Sequence, residues 1–347
     1  MPRTKSQENA HTKSSNNSLT RGNNRTRWRL FFIHILFATL AGLLVACNNE
    51  EKNTKETLLG IELYEKELYH EAVKYFKKAA VRGYATAQYK LAECYYHGEG
   101  VPQDYEEAAK WMRKAADQGN AEAQYGLGCY YCIGEGVSQD YEESAKWIKK
   151  AAEQGIAKAQ YDLGCCYGKG EGVPQDYEES AKWIKKAAEQ GLARAQRNLG
   201  YIYYNGIGVP QDYEEAVKWN MKAAKQGHSE AQYCLGISYQ FGIGIPQDDE
   251  EAIKWYMKSA KQGYAAAQIM LGAFYMAGIG VSQNYEEAVK WFRKAAEQED
   301  AAAQYNLGLC YFNGMGVPKD TETGVRWFKK AAEQGHEEAQ LILEELQ

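Results

Sequence analysis

Residues 192–227 read LARAQRNLGYIYYNGIGVPQDYEEAVKWNMKAAKQG, and the order of signals in this stretch decides the fold. From Ala193 to Tyr204 the apolar residues Ala195, Leu199, Ile202 and Tyr203 share one face of a helix. Asn205-Gly206-Ile207-Gly208-Val209-Pro210 then interrupts it, because the glycines permit positive φ and proline cannot continue a helix behind it. Asp212 is placed to cap a second helix, with Glu214 and Glu215 in its first turn, where negative charge suits the helix dipole. Ala216, Val217, Met221 and Ala224, with Trp219, give that helix a packing surface. Lys222 and Lys225 lie towards its C-terminus, and Gly227 supplies a left-handed stop. The stretch predicts a helix A, a glycine loop, a helix B and a glycine cap.

The pattern recurs along the chain. Trp111, Trp147, Trp183, Trp219, Trp255, Trp291 and Trp327 follow one another at intervals of 36, and so do the glutamines from Gln88 to Gln340 and the leucines from Leu91 to Leu343. Coincident registers of this kind mark a repeat architecture. The motif A-x-A-Q-x-x-L-G, Y-x-x-G-x-G-V, D-Y-E-E-A-x-K-W, K-A-A-x-Q-G runs seven times from about Ala85 and resembles the Sel1-like repeats, relatives of the tetratricopeptide repeats. The resemblance covers about residues 57–347. It implies an all-α, right-handed superhelical solenoid of antiparallel helix pairs, with helices A lining the concave side, and a protein-binding role.

Both ends depart from the motif. Gly60 and Tyr75 are 15 residues apart where Gly200 and Trp219 are 19 apart, so the first hairpin lacks four residues of the glycine loop and resembles a plain tetratricopeptide unit. The chain closes on a single helix A carrying Glu344, Glu345 and Gln347, a polar cap of the kind a solenoid end requires. One internal stop is faulty: Glu299 replaces the glycine after helix B, predicting local loosening or a helix that ends differently.

The N-terminus reads as an address. Residues 1–28 are polar; Arg25, Arg27 and Arg29 then precede an apolar run of 17 residues from Leu30 to Ala46, which is short for a membrane span and suits a signal-peptide core. It ends Leu44-Val45-Ala46-Cys47, which resembles the lipobox of bacterial lipoproteins. That resemblance implies lipidation at Cys47 and, since Asn48 is not aspartate, sorting to the outer membrane; an uncleaved signal anchor is the alternative. Either way the body is tethered to a membrane outside the cytoplasm. The expected domains are a targeting segment over 1–46, a polar spacer over 47–57 and the repeats over 58–347.

Charge separates the same regions. Residues 1–46 hold seven Lys/Arg and one acid, whereas the rest carries a net −11, which argues against nucleic acid as a partner. Within the repeats, tryptophans and alanines that recur from copy to copy, such as Ala79, Ala115, Ala151, Ala187, Ala223 and Ala295, are expected to serve stacking, with Trp183 buried. Function should then sit where helices A vary. One column reads Tyr89, Tyr125, Tyr161, Arg197, Tyr233, Ile269 and Tyr305. The next reads Lys90, Gly126, Asp162, Asn198, Cys234, Met270 and Asn306, and a third reads His97, Ile133, Lys169, Asn205, Phe241, Ala277 and Asn313. Tyr89, Tyr125, Tyr161, Arg197, Asn198, Tyr233 and Asn306 are the candidate contacts for a protein or peptide partner, tyrosine because it joins area to a polar tip. The tyrosines could equally pack between repeats.

No catalytic constellation stands out, and no cofactor or metal is called for. Some cysteine-rich Sel1 relatives have been linked to β-lactam binding or hydrolysis, but S-x-x-K is missing here: Ser144, Ser180 and Ser259 are followed by Ala-Lys, one residue too early. Beyond Cys47, the seven cysteines all fall on helices A or their ends, so the disulfide ladder of those relatives does not carry over. Cys129, Cys132, Cys165 and Cys166 lie on neighbouring helices A and could form a disulfide or a metal site, or act as small apolar residues.

Overall fold

The computed structural model describes residues 51–346, and among them every regular element is an α-helix. The targeting segment and Cys47 lie outside the described residues. Helices A and B alternate in chain order, α1 to α17, and the described residues divide into two compact units, one up to residue 120 and one from residue 121.

In the first unit, α1 spans residues 51–65, α2 Tyr69–Val81, α3 Ala85–His97 and α4 Tyr105–Asp117. Residues 51–57, which the sequence suggests are spacer, are helical. The reason is packing: Asn53 and Thr57 are buried, and Glu56 pairs with Arg82 at 2.6 Å. A tight turn through Glu67, at φ 60°, replaces the glycine loop. Phe76 of α2 lies under Gly60, where an added Cβ would meet its ring at 2.6 Å, and joins Val73, Leu91 and Cys94 in a core that Trp111 partly covers.

The second unit continues with α5 Ala121–Ile133, α6 Tyr141–Glu153, α7 Ala157–Lys169, α8 Tyr177–Glu189, α9 Ala193–Asn205 and α10 Tyr213–Lys225. Then come α11 Ser229–Phe241, α12 Asp249–Lys261, α13 Ala265–Ala277, α14 Tyr285–Ala296, α15 Ala301–Asn313, α16 Thr321–Glu333 and α17 Glu337–Glu345. From α6 on, each stretch of core joins a helix B to the next helix A, and all but the last are closed by the following tryptophan. Ile184 and Ala187 of α8, Leu199 and Ile202 of α9, and Trp219 of α10 form one such cluster.

The recurring residues have distinct tasks. Asp212 caps α10 by accepting from the Glu215 N–H at 2.9 Å, as Asp140, Asp176 and Asp248 do for their helices. The repeated glutamine uses both ends of its buried amide. Gln232 donates to the Ala224 carbonyl at 3.1 Å and accepts from Gln262 Nε2 at 2.8 Å, and the arrangement repeats at Gln160, Gln196 and Gln268. The second loop glycine is required by close approach as well as by φ: at Gly208, φ +66°, a Cβ would lie 2.1 Å from the Tyr177 carbonyl oxygen of the preceding helix B.

The expectation for the tryptophans needs adjustment. Trp147, Trp219, Trp255 and Trp291 are buried, but Trp183, like Trp111 and Trp327, is only part-buried. Each of these seven rings also carries the ammonium of the lysine three residues on, 3.5 Å from the Trp219 centroid for Lys222, so the indole is half core and half platform. Glu299 does adopt the left-handed conformation its position demands, φ 65°, and α14 ends earlier than its counterparts, at Ala296. Asp300 then caps α15 through the Ala303 N–H at 2.9 Å.

Candidate functional site

A helix A buries the face bearing its repeated Ala, Gln and Leu, so its remaining columns divide by how far they stand from that face. The column from Tyr89 to Tyr305 and the one from Lys90 to Asn306 are half-buried throughout. The column from His97 to Asn313, the last residue of each helix A, is exposed throughout.

The half-buried columns mostly stitch neighbouring repeats together. Tyr125 donates its hydroxyl to Asp162 Oδ2 at 2.7 Å, and Asp162 also meets Arg194 at 3.4 Å. The Arg194 guanidinium lies 4.5 Å from the Tyr161 ring centroid, and Asn198 lies beside the Tyr161 hydroxyl. Tyr233 packs on Tyr264 at 5.2 Å, and Tyr305 stacks on His336 at 4.6 Å. Asn306 turns back to the Ala302 carbonyl at 2.8 Å. In the first unit Tyr89 donates to Glu93, which also pairs with Lys90. Tyr89, Tyr125, Tyr161, Tyr233, Asn198 and Asn306 therefore serve the packing and bonding of the repeats, and the structure does not bring them together into one site. Burial pushes the Tyr161 and Tyr233 hydroxyls further from ionising.

Arg197 is the candidate that does border a cavity. It pairs with Glu230 of α11 and lies over the Tyr201 ring at 5.5 Å. It lines a pocket of about 230 Å³ together with Tyr201, Tyr204 and Asn205 of α9, Asn220 of α10, and Cys234, Ile237 and Ser238 of α11. Tyr201 and Tyr204 are 49% and 39% exposed, so the rim is aromatic and open. The Ser238 hydroxyl is engaged with the Cys234 carbonyl at 3.1 Å, and burial raises the Cys234 thiol above its ordinary range.

The pocket exists because of Asn220. At the corresponding place in other helices B stand Ile148, Ile184, Tyr256, Phe292 and Phe328, each packed against the repeated glycine of its helix A. Asn220 meets Gly200 in the same way but is too short to fill the space beyond, and its Oδ1, buried, has no hydrogen-bond partner among the described residues. Sequence reading missed Asn220, although the signal was present: it is the polar member of an otherwise apolar column following the tryptophans.

The other chemistry-bearing residues have structural roles. The Ser144 hydroxyl donates to the Gly128 carbonyl and that of Ser259 to the Ser229 carbonyl, each at 2.8 Å. The seven described cysteines are free thiols; Cys94 and Cys310 are buried, and burial pushes Cys94 up to about 12 and Cys129, Cys166 and Cys310 to about 11. Among the described residues no group of three or more His, Cys, Asp or Glu could hold a metal ion, and no helix is long and apolar enough to cross a membrane.

Comparison with known proteins agrees with this architecture. The Sel1 repeat model matches residues 58–84, 85–120, 121–156, 157–192, 193–228, 229–264, 265–300 and 301–336, so the shortened first hairpin is itself recognised as a Sel1 repeat. A crystal structure of a protective antigen present in uropathogenic Escherichia coli strains, displaying an SLR fold, is 38% identical over 86% of this chain, with a TM-score of 0.79; the chain spans 65% of that protein's length. A Sel1 repeat protein from Oxalobacter formigenes is 34% identical over 88% of this chain and 89% of its own, with a TM-score of 0.68. A search of curated proteins gives no match. Sel1 repeat proteins are typically protein-interaction scaffolds. With its helix pairs, its recurring Trp, Gln and Leu registers and these relatives, the chain belongs to the Sel1 repeat family.

Proposed function

We propose that this protein is a non-enzymatic scaffold, tethered at the bacterial cell envelope through lipidated Cys47, that binds a protein or peptide partner on the exposed part of its helix A layer. The observation carrying the binding surface is the pocket between α9 and α11, rimmed by exposed Tyr201 and Tyr204 beside the Arg197–Glu230 pair. Interfaces draw most of their affinity from a few aromatic and arginine residues around a desolvated pocket, and such a group is assembled here. Repeat-to-repeat variation supports the same surface, since Asn205 and Phe241 belong to the exposed variable column.

The test has two arms. The full chain, immobilised from detergent-solubilised membranes, is used to capture envelope proteins, and the affinity of the captured partner is measured for wild type and for Tyr201→Ala/Tyr204→Ala. A loss of on the order of tenfold or more with an unchanged melting curve supports the surface; unchanged affinity refutes it. Fractionation of Cys47→Ala tests the tether, which fails if membrane association and processing are unaltered.

A further inference from the structure

Cys132 of α5 and Cys166 of α7 belong to the helices A of two successive repeats. Their counterparts two repeats on, Tyr204 of α9 and Ser238 of α11, both line the pocket between those helices, so the two columns face each other across the helix A layer. Met276 of α13 likewise packs against the core that holds Cys310 of α15. Between α5 and α7 both members of the facing pair are cysteine. These two helices already touch, through the bond from the Tyr125 hydroxyl to Asp162 at 2.7 Å. The thiols are close enough that a negative charge on Cys132 would push the Cys166 thiol up. Cys166 is also accessible: it is part-buried, whereas Cys94, Tyr130, Ile202, Ser238, Phe274 and Cys310 in the same column are buried. The pairings within one helix are poorer. Cys165 and Cys166 are adjacent in α7, so their side chains diverge by about 100°. Cys129 and Cys132 share a face of α5, but helical Cβ atoms three residues apart are about 5–6 Å from each other, where a disulfide needs about 3.5–4.5 Å. Cys129 and Cys165 instead sit beside the Tyr125 and Tyr161 hydroxyls of their own helices.

We propose that Cys132 and Cys166 form a disulfide that ties the helices A of two successive repeats together, and that the free thiols of the structure are its reduced form. This goes beyond the scaffold reading and draws on it only for the compartment, since outside the cytoplasm such bonds form and persist. The oxidant is another disulfide, small or carried by a protein. One thiolate of the pair attacks a sulfur of that disulfide, releases its first thiol and leaves a mixed disulfide on the chain. The second thiolate then attacks the chain's own sulfur in the mixed disulfide and releases the second thiol. Two protein thiols are oxidised, one disulfide is reduced to two thiols, and the protons pass from the former to the latter. The new bond fixes the spacing of α5 and α7, which the reduced form holds by non-covalent contacts such as Tyr125–Asp162.

The full chain is equilibrated, folded, in mixtures of reduced and oxidised glutathione, then quenched with acid, alkylated and digested with trypsin. One tryptic peptide carries Cys129 and Cys132 and another carries Cys165 and Cys166. A bond between the repeats therefore appears by mass spectrometry as these two peptides joined, two hydrogens lighter than their sum, and separated again by reduction. The expected result is that the joined pair accumulates as the oxidised fraction of glutathione rises. In Cys132→Ser or Cys166→Ser its yield falls on the order of tenfold or more, and in Cys129→Ser/Cys165→Ser it is kept. A wild-type chain that shows no joined pair in oxidised glutathione, or a pair that depends on Cys129 or Cys165 instead, overturns the inference; the wild-type map holds whether or not any variant folds. Chain recovered from cells whose thiols were trapped by acid separates this inference from the location. A bond present there as well supports both. A bond that forms in glutathione but is missing from the cells counts against the envelope placement and leaves the pairing standing.

Discussion

Asn220 stands against Gly200 as Tyr256 stands against Gly236: an added Cβ would lie 2.7 Å from Asn220 Oδ1 in the first case and 2.3 Å from the Tyr256 ring in the second. The two side chains differ in reach. Tyr256 carries its hydroxyl on to Gln240 Oε1 at 2.7 Å, whereas Asn220 stops short, a pocket lies beside it, and its own Oδ1 is buried without a partner among the described residues.

From that relationship, Asn220→Ile should stabilise the protein. It recreates the Ile184–Gly164 contact and removes an unpaired buried carbonyl, together about 1–2 kcal/mol. The check is the urea midpoint, which should rise; a fall would show that the amide is satisfied in solution.

Glu299→Gly should also stabilise, by about 1 kcal/mol, because glutamate is held at φ 65° where glycine carries no Cβ penalty. Amide exchange at residues 299–300 in the wild type should be faster than at the Gly263 junction, and the substitution should slow it. Equal protection at the two junctions would contradict the strain.

Trp219→Ala should cost ~3–5 kcal/mol, since the ring is 7% exposed and closes the α8–α9 core. Trp183→Ala should cost less, because that ring is only part-buried. Comparing the two denaturation midpoints tests the ordering.

Gln232→Leu should destabilise by about 1–2 kcal/mol even though the volume is nearly kept, because the buried Ala224 carbonyl loses its side-chain donor and the exposed Gln262 amide loses its acceptor. A neutral result in chemical denaturation would mean that water replaces both bonds.

The thiols predict a pH response. Cys94 is held protonated up to about 12, so between the ordinary thiol range and that value the unfolded chain loses a proton that the folded chain keeps. Stability should therefore fall as pH rises through this window, and a Cys94→Ala variant should fall less. At pH 8, iodoacetamide should leave Cys94 and Cys310 unmodified until denaturant is added, as read by mass spectrometry.

The repeat is legible in the sequence because its signals are local. Asp212, the glycines of the loop and the 36-residue return of Trp, Gln and Leu each act within a helix turn or one neighbouring repeat, so composition and spacing carry them. Residues 51–57 resemble spacer for the opposite reason. Their polarity describes the exposed side of α1, and only contact with Tyr84 and Arg82 turns the segment into a helix that belongs to the first unit.

By itself, then, the sequence determined the helix pairs, their caps and the register in which they stack, because these follow from backbone requirements at fixed spacing. Tertiary structure decided which variable residues remain available. Tyr125, Tyr161 and Tyr233 have the composition of a binding surface, but neighbours some thirty-odd residues away engage them. Asn220 looks inconspicuous in its helix, but the missing length of its side chain, set against Gly200 and the next helix A, opens the pocket. Whether a side chain fills a space depends on what surrounds it, and that is settled only when the helices have packed.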